Sequence, residues 1–152
     1  MSKLKIVLGA LLSAAALTAG PSARAAMDPK ALVMTPPDQI QWKGDPGKPQ
    51  SVVLAGDPTK EGSLYVMLIK WPPHQSSRPH SHPHDRFITV LEGTWWVNTG
   101  AKYSPETMTP VPKGSFVTHF GNQIHYDGTK DDSAIIEIVG IGPAAMTPRE
   151  EK

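Results

Sequence analysis

The chain has 152 residues, with 15 Lys and Arg against 14 Asp and Glu, and no cysteine. Disulfides, thiolate metal sites and cysteine nucleophiles are therefore excluded, and stability must come from core burial or a bound ion. Balanced charge without a basic block argues against a nucleic-acid partner.

The chain opens with Lys3 and Lys5, followed by an apolar stretch from Ile6 to Leu17. Ala23-Arg24-Ala25 then places small residues where a signal peptidase reads, so residues 1–25 are expected to be a cleaved export signal. An apolar run of about 12 residues is too short to span a bilayer that needs about 20. No later run is longer, so no membrane insertion is expected after cleavage, and the expected location is periplasmic or secreted. Cleavage removes three of the 15 basic residues and no acid, leaving 12 against 14 in a mildly acidic chain of 127 residues, the size of one domain.

Five prolines between residues 26 and 50 predict an extended N-terminal arm, with one edge strand holding Ile40 and Trp42 on the outside of the domain. From there the short runs between Pro and Gly are rich in Val, Ile, Phe, Tyr and Trp. Strands are predicted near Ser51–Leu54, Ser63–Trp71, Arg86–Leu91, Thr94–Asn98, Ser115–His119, Ile124–Asp127 and Ala134–Val139. Glu92-Gly93 is predicted to close a tight hairpin between the third and fourth of these. Seven short strands over residues 51–142 indicate an all-β sandwich or small barrel. The polar tail, 143–152, is expected to fray.

Four of the six histidines fall between His74 and His84. In an extended segment alternate side chains share a face, so His80 and His82 can grip one ion from adjacent corners. His84 has the same parity, but Pro79 and Pro83 interrupt regular pairing. One His-x-His pair fits a solvated loop as well as a metal site. Downstream, Ser115–His119 leads through a Gly121-Asn122 turn to a further histidine, His125.

These segments resemble the two motifs of the cupin superfamily. His80, His82 and Val90-Leu91-Glu92-Gly93 stand at the spacing of the first motif. Phe120-Gly121-Asn122-Gln123-Ile124-His125 keeps the histidine of the second, without its proline or turn glycine. The resemblance covers about residues 50–140. It implies a single β-barrel of the double-stranded β-helix (jelly-roll) type, with His80, His82 and His125 holding one divalent transition metal near the wider mouth. Imidazole ligation suits zinc, iron, nickel or copper. Arg86 stands where cupins carry the metal-binding glutamate, and a guanidinium cannot ligate a cation. Arg86 must therefore face away, pair with Asp85 or Glu137, or hold an anionic ligand. Asp85 is one residue out of phase with the lost glutamate.

His119 is expected on the outside or behind a ligand. Glu137, an acid inside an apolar strand, faces either outward or toward Arg86. Tyr126 could meet a substrate or pack elsewhere. Trp95 and Trp96 are adjacent and must face opposite sides of their strand. The sequence names no catalytic residue. It supports an exported metalloenzyme of oxygenase, isomerase or decarboxylase type acting on a small anionic organic molecule. A non-catalytic barrel that binds or senses a small ligand, with or without metal, is the alternative. Pairing into a homodimer is a further expectation.

Overall fold

The computed structural model describes residues 27–151; the expected export signal lies outside them. Residues up to Thr35 belong to a unit separate from Pro36 onward. Its described part makes one turn, in which Asp28 accepts from the amides of Lys30, Ala31 and Leu32.

From Pro36 on, the regular structure is nearly all strand, with short 3-10 turns at Pro37–Gln39 and Pro105–Thr107. The first of these turns and a bridge from Lys43 to Ser51 stand where an edge strand with Ile40 and Trp42 was predicted. Of the eight residues between Pro37 and Pro46, Lys43 alone pairs with another strand among the described residues, at Ser51. Nine strands follow: β1 Gln50–Gly56, β2 Leu64–Trp71, β3 His80–Ser81, β4 Arg86–Thr99, β5 Thr109–Pro112, β6 Phe116–His119, β7 His125–Gly128, β8 Ala134–Ile141 and β9 Thr147–Pro148. One sheet runs β1-β2-β8-β4-β6 and the other β5-β4-β7-β3-β9, with every pairing antiparallel.

The two sheets share β4. Its first half pairs with β8 and β6, its second half with β5 and β7. The predicted hairpin at Glu92-Gly93 is therefore absent, and the same residues bend one continuous strand. The register shifts between Val90 and Glu92, and Gly93 takes φ +68 where a Cβ would meet the Ser133 carbonyl. A Gly in the left-handed region makes a bulge as readily as a hairpin turn, and only the partners of the flanking segments decide which.

Strand alternation then sorts the side chains. On β8, Ala134, Ile136 and Ile138 are buried, and they pack with Tyr65, Trp71, Ile88, Val90, Trp95 and Val111 as the core. Trp95 is fully buried, while Trp96 faces the other way beneath Lys130, whose Nζ lies 3.9 Å from the ring centre. The tail does not fray. It returns along β3, with Arg149 donating its amide to Pro79 O and Glu150 pairing with Arg78. Polar composition hid that ladder, because an edge strand needs backbone partners rather than apolar side chains.

Candidate metal centre and its cavity

Two short segments bring the histidines together. β3 pairs with β7 so that His80 and His125 are direct partners. The turn before β7 docks on the His82 segment: Asn122 donates its amide to His82 O at 2.7 Å, and Gly121 donates to Asp85 Oδ1 at 2.7 Å. Asn122 takes φ +61, a left-handed conformation that Asn tolerates better than most side chains. It thus does the work of the missing turn glycine. Asp85 is committed to this turn and is neither a ligand nor the partner of Arg86.

His80, His82 and His125 are buried, and their ligand atoms lie within 4.8 Å of one another. Each ring is oriented by a backbone carbonyl. His80 Nδ1 donates to Arg78 O at 2.7 Å, His82 Nδ1 to Ala145 O at 2.8 Å, and His125 Nδ1 to Gln123 O at 3.2 Å. Carbonyls only accept, so the proton sits on Nδ1 and the Nε2 lone pair is free. The Nε2 atoms of His82 and His125 are buried with no hydrogen-bond partner among the described residues. Burial, Arg86 and His80 together hold His82 down at about 3, and burial, His80 and Arg86 do the same for His125. Both are neutral at physiological pH, as a ligating imidazole must be. The donor set fits a divalent transition metal: orphaned lone pairs that converge, each with its second nitrogen tied to a carbonyl.

His119 is interior, not outside. Its ring centre lies 3.8 Å from that of His125 and 5.4 Å from that of Trp95. With His125 and Asp127 it makes a second triple of close donor atoms. Its Nδ1 has no partner among the described residues, so nothing orients it as the carbonyls orient the other three. The first triple is the better-formed site.

Beside the histidines opens a cavity of about 600 Å³, lined by His80, His82, Arg86, Asp127 and Ser77, by mainly apolar side chains besides Thr59, and by the tail residues 143–146. Arg86 faces this cavity. It pairs with neither Asp85 nor Glu137, and no salt bridge to it occurs among the described residues. Its Nη1 lies 3.4 Å from His82 Nδ1. That nitrogen already donates to Ala145 O, so the contact sets two donors together and is not a hydrogen bond. The guanidinium thus sits behind the His82 ring, on the side away from Nε2. Glu137 lies between the inward Ile136 and Ile138 and faces outward. Tyr126 also leaves the cavity, its hydroxyl meeting the Ser104 backbone at 3.2 and 3.3 Å.

Sequence reasoning missed Asp127. It stands two residues past His125 on the same strand face, and that parity was the signal. Ser77 Oγ donates to its Oδ1 at 3.1 Å, and burial raises its pKa against the opposing pull of His80 and Arg86.

No family model matches the sequence, and no curated protein does. Several solved structures share the fold. The polyketide cyclase RemF from Streptomyces resistomycificus is 16% identical with a TM-score of 0.63, over 80% of this chain and 87% of that one. A Klebsiella pneumoniae protein with a double-stranded β-helix domain is 20% identical with a TM-score of 0.55, over 72% and 90%. A cupin-like protein from Thermotoga maritima is 21% identical with a TM-score of 0.53, over 66% and 76%. The barrel therefore has the cupin fold, the double-stranded β-helix.

Proposed function

We propose that this chain is a metal-dependent cupin in which His80, His82 and His125 hold one divalent transition metal and the adjoining cavity receives a small organic anion. One observation carries the reading: three buried imidazoles, each with Nδ1–H fixed on a carbonyl, turn their free nitrogens to a common point beside a cavity that contains a buried cation. A bound ion would supply Lewis acidity. The chain's own residues would do the rest. Arg86 would hold the anionic group, the apolar wall would exclude water, and Asp127 would accept or return a proton at its carboxylate.

Asp127 favours an enzyme over a passive binder, since it places a buried carboxylate able to exchange a proton in the cavity wall, a place that outward-facing Glu137 does not fill. That RemF, a cyclase, shares the barrel supports the same reading without fixing the reaction. Oxygenase, isomerase and decarboxylase chemistry all remain within reach of such a site. With the expected export signal, it would work in the periplasm or outside the cell.

Elemental analysis of the purified protein beside His82→Ala tests the metal. About one ion per chain, mostly lost in the variant, is the expected result. No ion after incubation with zinc, iron, nickel and copper would overturn the reading.

A further inference from the structure

Arg86 is only 8% exposed, its Nε is buried without a partner, and among the described residues the one polar atom within hydrogen-bond distance of its fork is a donor nitrogen. A guanidinium taken out of water without an acceptor is strongly destabilising, so such a group points to an anion that arrives later. Asp127 shares the cavity wall and acts on Arg86 through its charge, but it stands beyond salt-bridge distance and already accepts from Ser77. It leaves the fork of Arg86 free.

The remainder of the cavity asks for something different. Met67, Ile69, Trp71, Ile136 and Ile138 form an apolar wall running from Arg86 along β2 and β8. Apart from the indole N–H of Trp71, buried without a partner among the described residues, these side chains carry no N–H or O–H group. Hydroxyls or a second charge laid against the aliphatic ones would therefore lose their water without gaining partners. Apolar surface laid there would be stabilised instead.

We infer that the cavity takes a monocarboxylic acid with an apolar body, its carboxylate on the Arg86 fork and its body along Met67, Ile69, Trp71, Ile136 and Ile138. The inference rests on the reading of this cavity as the ligand site of the barrel. It narrows the ligand from any small anion to an amphipathic acid with one charge.

Titration calorimetry with three acids of different body, namely phenylacetate, octanoate and cyclohexanecarboxylate, tests it. The controls are 2-phenylethanol, which has a body without a charge, acetate, which has a charge without a body, and phenylsuccinate, which has two charges. At least one of the three acids is expected to bind tenfold or more tighter than every control. In Arg86→Gln that acid falls to the level of 2-phenylethanol, while Arg86→Lys retains part of the preference. The ligand comparison on the unaltered protein stands even where a variant fails to fold. None of the three acids binding, acetate binding as tightly as they do, phenylsuccinate binding tightest, or a preference that survives Arg86→Gln would overturn the inference. Metal content measured on the same samples separates the two readings. One ion per chain without acid binding sinks the ligand and keeps the metal, and Arg86-dependent acid binding to a chain that takes no metal does the reverse.

Discussion

Arg86 is held in the core at a cost that a folded protein without ligand must carry. Replacing it with Met, similar in reach and uncharged, is expected to stabilise the barrel by about 1–3 kcal/mol in urea unfolding, while removing acid binding. The histidines carry a second burden. His82 and His125 are held at about 3 in the fold, against about 6.5 in an unfolded chain. Between those values the unfolded chain takes up protons that the folded one refuses, so stability falls as pH drops. Each ring contributes a slope of up to about 1.4 kcal/mol per pH unit in that window. Burial, Arg86 and the neighbouring histidines hold the rings down, and the carbonyls of Ala145 and Gln123 pull the other way. The urea midpoint of metal-free protein is therefore expected to decline steeply from pH 6.5 toward 4, and a flat profile would contradict it. At this scale the three converging histidines were legible because parity and spacing are properties of the sequence. Arg86 was legible only as a conflict, since its direction depends on which face of β4 turns inward. Glu137 and Tyr126 were undecidable for the same reason, and their neighbours Ile136, Ile138, His125 and Asp127 took the inner side.

At the level of elements, the turn between β6 and β7 sets the position of His125. Asn122→Val would force a branched side chain into the left-handed region at a cost of about 1–3 kcal/mol, whereas Asn122→Gly should be tolerated. Chemical denaturation of the two variants reads the difference. The tail is the other positioning element. Ala145 holds His82, and Pro143 to Met146 close one side of the cavity. Removing residues 143–152 should leave every strand pairing except that of β9 with β3 but weaken metal binding by about 10- to 100-fold, measured by competition with a chelator. The sequence predicted most of the longer strands to within a few residues, because each is an apolar or alternating run. It could not show β3, β5 or β9, which are two to four residues long and contain Pro or polar side chains. Nor could it show that β4 passes from one sheet to the other, which depends on partners distant in the chain.

For the molecule as a whole, the cupin fold followed from two motifs whose combined spacing few other architectures require. What they left open was the outer surface. Leu64, Phe87, Phe116 and Ile141 stand between 43% and 64% exposed on one outer sheet face, with the Phe87 and Phe116 rings stacked 6.3 Å apart. Four large apolar side chains on one face exceed what a solitary domain usually leaves in water. A second copy is expected to cover them, giving a dimer in sedimentation that Phe116→Asp shifts toward monomer. A monomer at all concentrations would remove that expectation.

The three imidazoles take their orientation from the carbonyl oxygens of Arg78, Gln123 and Ala145. Every amino acid supplies that oxygen, so no point substitution at these three places can delete it. Relatives could differ freely at all three and still present the same lone pairs. The arrangement is exposed instead to changes in length. One residue added or lost between Ile141 and Ala145 would carry the carbonyl past its ring. Random mutagenesis should therefore find positions 78, 123 and 145 permissive to substitution, while single-residue insertions beside them silence the site.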